Sequence, residues 1–150
     1  TFFSKFDMPS KIEILYGRLE WSEEPRGGVY EKDKEGYFTD HKYEGEIENG
    51  KPHGNGTWTQ MNGATYVGQF VNGLREGFGT FTWSSQGPES GSVYEGEYKN
   101  NRRNGKGKRT YGDGSILEGD WKDNELWNGT KHDKEGNISE KYVNGECKKI

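Results

Sequence analysis

One pattern constrains this chain more than any other. Tyr43-Glu44-Gly45-Glu46-Ile47-Glu48-Asn49-Gly50 returns as Tyr66-Val67-Gly68-Gln69-Phe70-Val71-Asn72-Gly73, then as Tyr94-Glu95-Gly96-Glu97-Tyr98-Lys99-Asn100-Asn101. A fourth copy reads Leu117-Glu118-Gly119-Asp120-Trp121-Lys122-Asp123-Asn124, and the starts lie 23, 28 and 23 residues apart. A second half-motif follows. Gly54-Asn55-Gly56-Thr57-Trp58-Thr59 matches Gly77-Phe78-Gly79-Thr80-Phe81-Thr82 and, with a slip of one residue, Gly105-Lys106-Gly107-Lys108-Arg109-Thr110; the fourth unit keeps only Gly129-Thr130. A repeat of this length is one supersecondary unit, which buries its apolar face only against its neighbours.

Within a unit the period is two. Tyr43, Gly45 and Ile47 share one face and three glutamates share the other, the pattern of a half-buried strand. Asn49-Gly50 then signals a tight turn, because both residues tolerate positive φ. Gly56 to Gln60 alternates again as a return strand, and Asn62-Gly63 leads into the next unit. Helix is not expected in the repeats, since each Gly costs about 1 kcal/mol against Ala in a helix interior. The glycine inside the first strand leaves a gap in which a ring from the neighbouring hairpin can lie. The expected fold class is all-β: an elongated single-layer twisted antiparallel sheet of stacked β-hairpins, about 50 Å long for five units at two strands each. Hydrophobic residues are only 27%, which by itself suggests disorder. Aromatics at 14% offset this, because each ring buries roughly 150–250 Å².

Four glycines and an aromatic frame recurring over some hundred residues resemble the MORN (membrane occupation and recognition nexus) repeat family, whose motif is Tyr-x-Gly-x-aromatic-x-Asn-Gly, then Gly-x-Gly-Thr, then Asp-Gly. The likeness divides the chain into an N-terminal extension (1–14), a degenerate repeat or cap (15–42), four repeats (43–65, 66–93, 94–116 and 117–139) and a truncated repeat with a tail (140–150). The second repeat carries an insertion at 84–92, polar in composition. The resemblance implies a curved groove and a non-catalytic scaffold or adaptor in an intracellular assembly, cytoplasmic, cytoskeletal or ciliary, with organelle import left open. Two alternatives also follow from it: an accessory domain of a larger enzyme such as a lipid kinase or methyltransferase, or a peripheral module for phosphoinositides and other anionic lipids.

The charges and motifs narrow the field further. A formal net charge of -4 argues against nucleic acid as a partner. One cysteine, Cys147, excludes an internal disulfide. The chain starts at Thr1, as either a fragment or a processed chain would. His41, His53 and His132 have no metal-ligand spacing, and Gly105-Lys106-Gly107-Lys108 lacks the spacing of a phosphate-binding loop. No enzyme, cofactor or metal is therefore expected. Asn55, Asn128 and Asn137 fit the glycosylation acceptor pattern, but the first two fall within or near the repeat's own turns.

The candidate partner-binding residues are the rings of Tyr66, Phe70, Tyr94, Tyr98 and Trp121. They are expected to form an aromatic row that a single layer leaves partly uncovered. The apolar Phe2, Phe3 and Phe6 at the N-terminus join them as contact candidates, and the end strands offer unpaired backbone groups. Residues 94–116 form the one basic unit. Lys99, Arg102, Arg103, Lys106, Lys108 and Arg109 against Glu95, Glu97 and Asp113 give +3. Arg102, Arg103, Lys106, Lys108 and Arg109 are accordingly the candidates for anionic lipid.

Overall fold

The computed structural model describes residues 12–17, 41–60 and 62–150. Eleven strands follow one another: β1 (Ile12–Gly17), β2 (His41–Glu48), β3 (Lys51–Gln60), β4 (Thr65–Val71), β5 (Leu74–Thr82), β6 (Val93–Lys99), β7 (Arg102–Thr110), β8 (Ile116–Lys122), β9 (Glu125–His132), β10 (Ile138–Val143) and β11 (Glu146–Lys149). They form a single open antiparallel sheet in the order of the chain, without a crossover. No helix occurs among the described residues. Ile12 to Leu15, which composition leaves open between strand and helix, lies in β1 and pairs with Tyr43 to Glu46 of β2. Phe2, Phe3 and Phe6, and most of the degenerate repeat, lie outside the described residues.

Five two-residue turns close the hairpins along one edge. Each has positive φ at both central positions: Asn49-Gly50, Asn72-Gly73, Asn100-Asn101, Asp123-Asn124 and Asn144-Gly145. That geometry matches the right-handed twist of the flanking strands, and Asn, Asp and Gly tolerate it best. The later four turns also grip the preceding hairpin. The amide of Asn101 donates to the Arg75 carbonyl (3.0 Å) and the amide of Asn124 to the Arg103 carbonyl (3.0 Å). Asn at these two sites adds a second link, since its Oδ1 accepts from the Arg75 amide (2.8 Å) or the Arg103 amide (2.9 Å).

The return strand of each of the first three units is two residues longer than its partner. The register Gly68↔Gly79, Phe70↔Arg75 leaves a bulge, repeated at Gly45↔Gly56, Ile47↔Pro52 and at Gly96↔Gly107, Tyr98↔Arg103. Gly54, Gly77 and Gly105 sit in these bulges at φ of 82°, 66° and 106°. A bulge frees backbone amides. The Glu46 carboxylate accepts from the Asn55 amide, and the Glu97 carboxylate from the Lys106 amide. The fourth unit lacks this glycine, and its bulge at Asp120↔Asn128, Trp121↔Leu126 is one residue shorter.

The core sits on one face of the sheet. The register aligns glycines into a row: Gly45, Gly56, Gly68, Gly79, Gly96, Gly107, Gly119 and Gly129. The rings of Tyr43, Tyr66 and Tyr94, all fully buried, lie over this row. The sequence suggests that a neighbouring hairpin supplies the ring above each glycine. Instead the tyrosine of the same hairpin fills the gap, because a residue two positions before the glycine points to the same face. Each hydroxyl then donates to the carbonyl three residues on, Tyr43 to Glu46 (2.8 Å), Tyr66 to Gln69 (3.0 Å) and Tyr94 to Glu97 (3.2 Å).

Candidate functional site

The five rings proposed for partner contact are not an open patch. Tyr66, Phe70, Tyr94, Tyr98 and Trp121 are all at most 5% exposed. With Tyr43 they form an unbroken zigzag of edge-to-face contacts, Tyr43–Phe70–Tyr66–Tyr98–Tyr94–Trp121, with centroids 5.0–5.4 Å apart. The expectation that a single layer leaves this row uncovered is corrected here. Edge-to-face rings over glycine pack densely enough to bury one another, so these residues are the core.

What the face offers to solvent is a second tier. Trp58, Phe81, Trp83, Tyr111 and Tyr142 are half-buried and pack against the core. Cations lie among them. The Arg75 guanidinium sits over Tyr66, Phe81 and Tyr98, at 5.7, 5.7 and 5.2 Å from the ring centres. Arg103 lies over Trp121 (4.9 Å), Tyr94 (5.6 Å) and Trp83 (5.8 Å). Arg109 is held between Trp83 (4.2 Å) and Tyr111 (4.4 Å), and Lys131 also lies over the Tyr111 ring (5.9 Å). Guanidinium planes stack on rings at little cost in hydration, and arginine thereby caps the aromatic core.

The turns fix these arginines. Arg75 and Arg103 each follow a hairpin turn by two residues, opposite Phe70 and Tyr98. The Arg75 Nη2 donates to the Asn101 carbonyl (2.9 Å), and the Arg103 Nη2 to the Asn124 carbonyl (2.8 Å). Burial pulls the Arg103 guanidinium below its usual pKa. The Tyr98 hydroxyl opposes that shift, and the nearby Arg109 charge adds to it.

The basic unit does not make one patch. Arg103 and Arg109 face the rings, whereas Lys106 and Lys108 alternate with them on β7 and face the other way. Lys106 meets Asp120 (2.5 Å) and Arg102 meets Asp123 (4.0 Å). Lys108 stands opposite Glu95 and Glu118. The expected set of Arg102, Arg103, Lys106, Lys108 and Arg109 is thus split between two faces and partly neutralised. Arg75, Trp83, Tyr111 and Lys131 were not singled out by sequence. Aligning the units by register places Arg75 and Arg103 in one column, with Pro52 and Leu126; counting charges along the chain hides it.

The buried phenols carry a pH dependence. Burial, above all, raises the pKa values of Tyr66, Tyr94 and Tyr98 above the ordinary phenol value of about 10. The folded state therefore holds their protons more tightly than the unfolded chain. Their contribution is complete below about pH 10 and is lost as pH rises beyond it. Tyrosinate absorbance is expected to appear in two steps, with the later, buried fraction rising together with the loss of strand signal in circular dichroism. A single smooth rise with the sheet intact would contradict this.

Among the described residues no group of three His, Cys, Asp or Glu is placed to hold a metal ion. No helix among them is long and apolar enough to cross a membrane.

The comparisons accord with this geometry. The MORN repeat matches residues 43–65, 66–87 and 94–116. The chain is similar to the ALS2 C-terminal-like protein of Bos taurus, 46% identical over 68 residues, covering 44% of this chain and 7% of that protein. It is also similar to Alsin of Homo sapiens, 32% identical over 99 residues, covering 66% of this chain and 6% of Alsin. The stretch that matches thus spans only about 6–7% of the length of these curated relatives. With three matched units in one unbroken ladder of hairpins, the chain is a MORN-repeat protein.

Proposed function

We propose that this chain is a non-catalytic scaffold or adaptor module that holds a partner protein within a larger assembly. One observation carries the reading: a tier of half-buried aromatics with arginines among them on a single face. Surfaces that bind proteins are enriched in aromatic residues and arginine, and a self-buried core leaves this tier as the part a partner can touch. The intracellular setting, cytoskeletal or ciliary, belongs to this proposal and rests on the resemblance to MORN proteins.

The lipid reading has less support, because the cations that would serve it are divided between faces. Cross-linking mass spectrometry on protein purified gently from its source tests the proposal. Recurrent cross-links from Lys131, which lies on this face over Tyr111, to another protein are expected. Absence of such links, with sedimentation on phosphoinositide vesicles, would replace the proposal with a lipid module.

A further inference from the structure

Arg109 has a carboxylate partner that comes from the inserted 84–92 loop. The loop between β5 and β6 carries Glu89, whose carboxylate meets the Arg109 Nη2. The loop is anchored at its root, where the Trp83 amide donates to the Ser92 carbonyl (3.0 Å) and the Ser84 hydroxyl to the Asn62 carbonyl (2.7 Å). Its tip is exposed, and the Glu89 side chain is 48% exposed against 12% for Arg109. The carboxylate thus reaches the guanidinium from the solvent side.

The charges beneath are not balanced. Arg103, Arg109 and Lys131 gather around Trp83 and Tyr111. Glu89 serves Arg109 and Glu140 serves Lys131 (3.7 Å). No carboxylate among the described residues lies within ion-pair range of Arg103. Two donors there, the Arg103 Nη1 and the Arg109 Nε, are buried without a hydrogen-bond partner. Orphaned charged donors are costly, and a carboxylate is the group that fits a guanidinium fork in two-point fashion.

We propose that the Arg103–Arg109 pair is a carboxylate-binding station for an acidic segment of a partner protein, and that the 84–92 loop caps it, with Glu89 standing in for the partner. This rests on the partner-binding reading above and names the partner's chemistry. A single, partly exposed ion pair is weak, so a segment with several carboxylates displaces Glu89. It also meets the charge on Arg103 that the cap leaves unanswered. Trp83, at the root of the loop, contacts both arginines, so lifting the cap opens both together.

Fluorescence anisotropy with labelled decaglutamate at low ionic strength tests this, with decalysine as control. Glu89→Gln, which removes the stand-in without disturbing the sheet, is expected to tighten binding about two- to fivefold, the range that one partly exposed ion pair allows. Arg109→Lys, which keeps the charge and loses the fork and the stacking, is expected to weaken it about fivefold or more. Binding should fade as salt is raised. Equal affinities for wild type and Glu89→Gln, an indifferent Arg109→Lys, or no binding by wild type and Glu89→Gln would each overturn the proposal. If decaglutamate fails while the native cross-links persist on this face, the partner reading stands and its acidic chemistry falls. If the cross-links are absent too, both fall.

Discussion

Gly79→Ala is expected to destabilise the protein by about 3 kcal/mol, the upper part of the range for overpacking a filled core. A Cβ at this position would lie 2.3 Å from Cε2 and from the hydroxyl oxygen of Tyr66, and 2.4 Å from its Cζ. Tyr66 cannot give way. It is fully buried, wedged edge-to-face between Phe70 and Tyr98, and its hydroxyl is tied to the Gln69 carbonyl. Across the ladder stands Gly68, where an added Cβ would likewise come within 2.6 Å of the Gly79 Cα, so the two strands leave no room for a side chain on this face. In a domain of this size the change corresponds to a fall in Tm of about 10 °C. Gly73→Asn is the control. Its φ of 82° is left-handed, a Cβ there meets nothing within 4 Å, and Asn already holds the matching turn position at 101 and 124. Its cost is expected to stay within about 0.5 kcal/mol. If the two variants melt alike, the ring over glycine is not what holds the hairpins flat.

Trp121→Ala is the second large loss, about 3–5 kcal/mol. The indole is 4% exposed, packs edge-to-face on Tyr94 at 5.2 Å, and supports the Arg103 guanidinium at 4.9 Å. Its Nε1 donates to the Gly107 carbonyl (2.9 Å), which joins the fourth unit to the third. Trp121→Phe keeps a ring but not that bond, and is expected to cost less, about 1–2 kcal/mol. Where the loss falls is as telling as its size. Repeat units that touch only their neighbouring units make stability a sum of nearest-neighbour terms. Hydrogen exchange should therefore quicken in β7 to β9 while β3 and β4 stay protected. Uniform loss of protection along the sheet would mean that the array unfolds as one unit.

Much of the architecture could be read from Tyr43 to Asn124 alone. Period-two alternation around Asn-Gly turns leaves a chain few options besides hairpins, and a 23-residue repeat stacks them in order. The site was legible only in part. The sequence singled out rings that form the core but placed them on an uncovered face, since strand patterning assigns a side chain to a face and cannot tell whether that face is covered. The basic unit was likewise read along the chain, where Arg103 and Lys106 look like neighbours. Alternation on β7 sends them to opposite sides, and only the sheet's register brings Arg109 against Trp83 of one unit and Lys131 of another over Tyr111.

Local chemistry, then, determined what this sequence could fix by itself: strands, turns, their order, and a glycine row that demands rings above it. All of these act within a few residues, through φ preference and the two-residue period. The tertiary structure alone decided which rings are spent on the core, which arginines roof them, and where Glu89 of an inserted loop comes to rest. Those outcomes depend on contacts between residues some twenty positions apart, such as Glu89 and Arg109. No local preference encodes such a contact, because it exists only once the hairpins have paired.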